Sequence, residues 1–404
     1  MNVTERFLKY VSFDTQSDEK SDASPSTAKQ KTLGAYLAEE LRAMGLEDVG
    51  MDEFGYVYGR LPANVPQRVP VLGLVAHMDT SPDSPGANIR PRIVEYGGGD
   101  IVLNGELGIT MSPERFESLR RNVGKHLIVT DGTTLLGADD KAGVAEIFTL
   151  VEELVAENRP HGELRVAITP DEEVGRGTEH FDIKRFGADY GYTVDGGTLG
   201  EIEYENFNAA TATVTFTGSS IHPGTAKGKM KNACFMARDF SELLPKLESP
   251  EYTEGYEGFF HLHEMEGLVE QAKLTYLIRD HDREKFAARK AQFMAAAEKI
   301  NELWGEGSAH AEICDRYFNM REKILPHMYI IDRAVAAMES CGVVPRIQPI
   351  RGGTDGATIS YMGIPCPNLS TGGENFHGPF EYIPVEDMEA MVKVLHRLVA
   401  DLVK

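Results

Sequence analysis

Four cysteines in 404 residues, Cys234, Cys314, Cys341 and Cys366, are too few and too far apart for a disulfide framework or a CxxC metal site. They read as reduced thiols. Positive charge is scarce as well: Lys and Arg number 41 against 63 Asp and Glu, a formal charge of −22. Phosphate backbones repel such a surface, so no nucleic-acid partner is expected. No apolar run approaches the roughly 20 residues that a membrane helix needs. The opening stretch Met1–Ser12 mixes acidic and basic residues and lacks the apolar core of a signal peptide. A soluble, cytoplasmic protein without a membrane partner is the expectation. What is present is ordinary globular composition, 42% hydrophobic and 26% charged, and a length that allows two or three domains.

Short apolar runs at Val71–Ala76, Leu164–Ile168 and Tyr192–Val194 suit central strands covered on both faces. Between the first two, Val144, Ile147, Phe148, Val151, Leu154 and Val155 recur at helical spacing. Another helix is expected over Ala28–Met44, with Gly45 as its C-cap. Strand, helix, strand in this order predicts an α/β sheet. From Asn208 the texture changes. Thr211–Thr217 alternates, with Ala212, Val214 and Phe216 on one face. A helix over Lys229–Leu244, strands near Gly258–Glu266 and Lys273–Arg279, a helix over Arg283–Leu303 and a strand over Ala309–Tyr317 follow. This β-α-β-β-α-β order is ferredoxin-like. The expected fold class is therefore α/β: a mixed-sheet catalytic domain, discontinuous over 1–207 and 319–404, with an inserted α+β lid over 208–318. The Gly- and Pro-rich excursion Ser81–Asp131 shows no purpose in the sequence.

Each apolar run ends in polar residues of one kind. His77-Met-Asp79 follows the first, Pro170-Asp-Glu172-Glu173 the second and Asp195 the third, while Gly137-Ala-Asp139-Asp140 opens the helix. In open α/β sheets the ligand crevice lies outside the carboxyl ends of the strands, so these groups should converge. Singly they have plain alternatives: Asp139-Asp140 as a helix cap, Glu172-Glu173 as an exposed turn, His77 as a loop residue. Together they would repel one another unless a cation held them. Oxygen and imidazole ligands fit zinc, manganese or cobalt, and the lack of a thiol argues against a structural zinc. Five or more carboxylates with few histidines suggest two metals sharing one carboxylate. His377, in Gly372-Gly-Glu-Asn-Phe-His377-Gly-Pro, is a further candidate ligand.

His77-Met-Asp79, Gly137-Ala-Asp-Asp-Lys-Ala-Gly143, Asp171-Glu-Glu-Val-Gly175, Asp195-Gly-Gly and His377 resemble the M20 metallopeptidase family. Tyr10–Gln16, Ile221–Asn232 and Asn375–Pro384 resemble its tripeptide-cleaving branch, and the motifs run from one end of the chain to the other. The resemblance implies a zinc exopeptidase-like fold and release of the N-terminal residue from tripeptides. It implies two zinc ions, with Mn or Co as substitutes: His77 and Asp195 on one, Glu173 and His377 on the other, Asp139 bridging. The Asp139–Asp140 bond is then expected to be cis. Glu172 becomes the general base, and Asp79 the carboxylate that orients the His77 imidazole. By the same resemblance His222 stabilises the oxyanion, across the interface if the chain forms a homodimer. Arg279 would bind the substrate's terminal carboxylate, with Asn232 and Arg351 as further substrate-binding candidates. Other M20 activities (dipeptidase, carboxypeptidase, N-acyl amino-acid deacylase) share the metal set and form the alternative. A metal-holding protein without turnover has no need of Glu172. Gly224-Thr-Ala-Lys-Gly-Lys-Met230 is not a P-loop, since its spacing is short and Met stands for Ser or Thr.

Overall fold

The three apolar runs become neighbouring strands of one sheet. In a computed structural model that describes residues 1–404, Leu72–His77 lies between Leu164–Thr169 and Tyr190–Gly196 and pairs with both in parallel. Every residue of Leu72–His77 is buried, which is why the run is apolar at successive positions. Val57–Leu61 and Glu47–Met51 extend the sheet antiparallel on one side. Asn368–Ser370, Glu201–Glu203 and Arg346–Ile347 complete eight strands on the other. The α/β class expected from the sequence is thus present as a mixed sheet.

The helix Ala138–Ala156 packs on this sheet unusually closely. A Cβ on Gly143 would stand 1.8 Å from the Val194 carbonyl oxygen, so only glycine lets the helix rest on the backbone just before Asp195. At its start Asp139 and Asp140 are non-helical, and the peptide bond between them is cis.

The excursion after Ser81 builds a small sheet of its own. Arg92–Glu95 and Tyr382–Pro384 flank His126–Val129, both antiparallel to it, and Ile101–Asn104 forms a hairpin with Ile109–Met111. Tyr96, Ile101, Leu103, Met111, Leu119, Leu127 and Val129 make a core around Tyr382. The excursion therefore pins the chain just beyond His377, a purpose that no local pattern reveals.

The chain forms two compact units. Met1–Tyr204, Met320–Gln348 and Thr354–Lys404 make the larger; Glu205–Asn319 and Pro349–Gly353 make the smaller. The smaller unit has an antiparallel sheet in the order Phe259–Gly267, Gln271–Asp280, Asn208–Thr217, Ala309–Tyr317, with helices Ala233–Leu243 and Arg283–Trp304. That is the ferredoxin-like order. Ala210, Ala212, Val214 and Phe216 share one buried core with Met236, Phe240, Phe293 and Ile300. The first of these helices starts at Ala233 rather than Lys229, because the Asn232 side chain caps it by accepting from the Cys234 N–H (2.9 Å). Pro349–Gly353 joins this unit through Arg351, which donates to the carbonyls of Gly255 (2.7 Å), Glu257 (2.9 Å) and Thr253 (3.3 Å). The ends of Glu205–Asn319 are tied together. The Asn319 side-chain oxygen accepts from the Asn206 N–H (3.2 Å), and the Asn319 N–H donates to the Asn208 side chain (3.0 Å). No helix is long and apolar enough to cross a membrane.

Candidate metal centre

His77 ends its strand, Asp195 lies near the end of Tyr190–Gly196, and Glu172 and Glu173 form a 3-10 turn after Leu164–Thr169. Asp139 opens the long helix, and His377 sits in a loop with φ 63°. Their side chains meet. His77 Nε2 is 2.8 Å from Asp139 Oδ1 and 3.2 Å from Asp195 Oδ1. His377 Nε2 is 3.2 Å from Asp139 Oδ2 and 2.9 Å from Glu173 Oε2. The two oxygens of Asp139 therefore face different imidazoles. Zinc–ligand bonds of about 2.0–2.2 Å in a tetrahedral array leave neighbouring donor atoms about 3.3 Å apart, so these spacings suit ligands of common cations. Two triads of donor atoms, His77–Glu172–Asp195 and His77–Asp139–Glu173, each lie within 4.8 Å of one another. Glu173 Oε1 is buried without a hydrogen-bond partner, a cost of about 1–3 kcal/mol that a cation would remove. The residues present fit a pair of divalent ions.

The electrostatics agree. Burial opposes charge on His77, yet Asp195, Asp139 and Asp79 hold its pKa well above the ordinary value. Burial likewise opposes charge on His377, and its bonds to Asp139 and Glu173 push it up to about 12. Burial, with Asp139 adding to it, pushes Glu173 up to about 8. Burial raises Asp195 to about 6 even against the pull of His77. Burial and then Asp195, followed by Asp355 and Glu173, raise Glu172 well above the carboxylate range. Asp139 alone goes the other way: despite burial, hydrogen bonds from His377 and His77 hold it well below the usual range. Carboxyls so crowded keep their protons until a cation displaces them.

The model of peptidase family M20/M25/M40 matches residues 131–401. Peptidase T of Geobacillus sp. (strain WCH70) is 54% identical over 399 residues, which are 98% of this chain and 97% of that protein. The chain belongs to this peptidase family. The crystal structure of aminopeptidase PepT from Bacillus cereus superposes with a TM-score of 0.78 at 26% identity, over 100% of this chain and 98% of that one. A tripeptidase from Staphylococcus aureus subsp. aureus Mu50 shares the fold, with a TM-score of 0.81 at 22% identity over 99% and 98% of the two chains.

Around this family's metal-site motifs, further carboxylates hold the backbone. His77 Nδ1 lies 3.1 Å from the Asp79 backbone oxygen and 3.4 Å from its carboxylate. That carboxylate accepts from the N–H groups of Glu172 (3.0 Å) and Glu173 (3.2 Å), so Asp79 fixes the acidic turn as well as the imidazole. Asp140 accepts from the His77 N–H (3.0 Å) and the Gly143 N–H (3.3 Å). Asp171, at φ 58°, accepts from the Ser26 N–H (2.6 Å), the Gln30 amide (2.7 Å) and the Ser26 hydroxyl. Asp355 accepts from the Thr169 hydroxyl (2.6 Å), and burial lifts it to about 7. Glu381 accepts three backbone N–H groups from the turn before Asp139. Sequence reasoning gave these last four no role, although Asp140 and Asp171 lie within the motifs that carry the family resemblance.

The four substrate-binding candidates all belong to the smaller unit. His222 is exposed, and its Nδ1 accepts from the Gly224 N–H (3.1 Å). Arg279 donates to the Ala210 and Ile278 carbonyls (3.3 and 3.2 Å) and lies over the Tyr317 ring. Asn232 is the helix cap described above, and Arg351 holds the Thr253–Glu257 carbonyls.

Proposed function

We propose that this chain releases the N-terminal residue from tripeptides at a two-metal centre. His77 and Asp195 would hold one ion, Glu173 and His377 the other, and Asp139 both; zinc is the proposed metal, with manganese or cobalt able to replace it. One observation carries the reading. A single carboxylate, Asp139, presents Oδ1 to His77 Nε2 at 2.8 Å and Oδ2 to His377 Nε2 at 3.2 Å. The Geobacillus relative named Peptidase T, 54% identical, and the structure named aminopeptidase PepT, 26% identical, support an aminopeptidase.

When bound, the metal pair supplies Lewis-acid polarisation of the scissile carbonyl and acidifies a water. The chain's own residues supply the rest. Glu172 takes the water proton and passes it to the leaving amine, a task suited to a buried carboxyl whose pKa is raised above the ordinary carboxylate range. Asp79 holds the backbone of both Glu172 and Glu173, so base and ligand keep a fixed relation. Asp83 Oδ2, 3.3 Å from His377 Nδ1, turns Nε2 of that ring toward Asp139 and Glu173. For substrate contacts we assign His222 to the oxyanion and Arg279 to the terminal carboxylate, with 208–318 serving as lid to 1–207 and 319–404. A homodimer would let His222 serve a neighbouring subunit. All four cysteines are free, which supports a cytoplasmic setting.

The test compares kcat/KM for a tripeptide, its C-terminally amidated form, a dipeptide and an N-acetylated amino acid. The tripeptide should be cleaved best, and amidation should cost most of the activity. Glu172→Ala should lower kcat by about 10²–10⁴-fold. Equal cleavage of the amidated peptide, or full activity in Glu172→Ala, would refute the scheme.

A further inference from the structure

We infer that Glu381 is a positioning residue of the metal centre, coupling the loop that carries His377 to the turn that carries Asp139. The inference rests on the ligand roles proposed above. Glu381 is 2% exposed. Its Oε2 accepts from the N–H groups of Leu136 (2.6 Å) and Gly137 (2.8 Å), and its Oε1 accepts from the N–H of Asp139 (3.1 Å). Both carboxylate oxygens are thus used by a single turn, whose last bonded residue is the bridging ligand. Gly137, at φ 80°, supplies the left-handed step that lets successive N–H groups face one anion.

The other half of the coupling is the loop on which Glu381 stands. Glu374 and Tyr382 exchange two backbone bonds, N–H to carbonyl in each direction (2.9 and 3.0 Å), closing the loop between them. His377 and Glu381 both lie inside that closed loop. Tyr382–Pro384 is held in turn by its pairing with His126–Val129. The separation of His377 from Asp139 is therefore set by a hydrogen-bonded frame made of the chain's own backbone and the Glu381 carboxylate. A neutral residue could fill this buried place, beside an already acidic cluster, at lower electrostatic cost. A carboxylate is there because three N–H donors converge on it.

Glu381→Gln keeps the shape and removes one of the two acceptors. Its oxygen can serve Leu136 and Gly137, which leaves the amide nitrogen facing the Asp139 N–H, donor against donor. The full-length protein, stripped of metal, is titrated with zinc against a chromophoric chelator, for wild type and Glu381→Gln. The thermal midpoint of the metal-free form and kcat and KM for a tripeptide are measured alongside. Wild type should take two equivalents. Glu381→Gln should bind zinc about 10–100-fold more weakly, as for other residues that orient metal ligands, with a metal-free midpoint close to wild type. At saturating zinc, kcat should fall while KM holds. Unchanged zinc affinity overturns the inference, whatever the midpoint does. Wild type failing to take two equivalents overturns the ligand assignment instead. If Glu381→Gln does not fold, Glu381→Asp is read in the same titration; it keeps the charge but withdraws it by one methylene. Weaker binding supports the role and equal binding refutes it.

Discussion

The two main sheets of this protein distribute their polar residues in opposite ways. In the larger unit Leu72–His77 is buried throughout, Leu164–Thr169 at all positions but Arg165, and Tyr190–Gly196 at all but Asp195. Strands covered on both faces leave almost no place for charge except their ends. There His77, Asp195 and the Glu172-Glu173 turn meet the opening of a helix. In the smaller unit Gln271–Asp280 alternates between exposed and buried positions, so Lys273 and Thr275 sit along its length. Half-covered strands disperse polar chemistry; fully covered strands gather it at one edge. The carboxylates follow suit. Asp79, Asp140, Asp171 and Glu381 each accept backbone N–H groups in the larger unit. In the smaller unit Asp280 also accepts a backbone N–H, from Asp282 (2.9 Å), but pairs with Arg289 as well, and Asp315 pairs with Lys290, a partly exposed ion pair of the kind worth little.

The contrast can be broken where packing is tightest. Gly143→Ala would place a Cβ 1.8 Å from the Val194 carbonyl oxygen and 2.5 Å from Asp140 Oδ1, so the helix must lift from the sheet. Overpacking of this sort costs about 1–3 kcal/mol or more. A lower denaturation midpoint and weaker zinc binding are expected together, because Asp140 and Asp195 flank the clash. An unaltered midpoint would show that the close approach is dispensable.

A second measurement sharpens the contrast through protons. Glu173 at about 8 and Asp195 at about 6 lie above ordinary carboxylate values, so each carries a proton below its pKa that a cation must displace. Zinc affinity should therefore fall as pH drops from 8 to 6, by about tenfold per pH unit for each proton displaced, those on His77 and His377 included. Calorimetry in buffers of different ionisation heat counts the protons released. A pH-independent affinity would contradict the crowding. The smallest effect belongs to the other sheet. Lys273→Gln, on the exposed face, should change stability by no more than about 0.5 kcal/mol and leave kcat/KM alone. A large loss would mean that this face is covered in solution.

Periodicity made the fold class legible: continuous apolar runs marked the mixed sheet, and the alternation from Thr211 marked the ferredoxin-like insert. The convergence of His77, Asp139, Glu173 and Asp195 was legible because covered strands have few positions for such residues, whereas His377, in a distant loop, joined them chiefly through the resemblance to the M20 family. Backbone donors, by contrast, leave no trace in a sequence. Nothing near Glu381 signals that it will take the amides of Leu136, Gly137 and Asp139, and nothing near Asp355 signals Thr169. The short strands after Ser81 escaped for a related reason, since His126–Val129 finds its partner Tyr382–Pro384 far along the chain. Asn232 was read only as a substrate contact. The same amide that could touch a substrate is an excellent helix cap, and capping is the role the structure shows.

Asn206, Asn208 and Asn319 bear on how the chain assembles. Asp195 and His377 are separated in sequence by the whole of Glu205–Asn319, and closing so long an unfolded loop is entropically costly. Once that segment has folded and its ends are tied, the rest of the chain meets it as a connection of a few residues. On the logarithmic dependence of closure entropy on length, shortening this loop from about 180 to about 70 residues lowers the cost by about 1 kcal/mol. Folding of the insert first thus eases assembly of the metal centre, although that unit contributes none of the five proposed ligands.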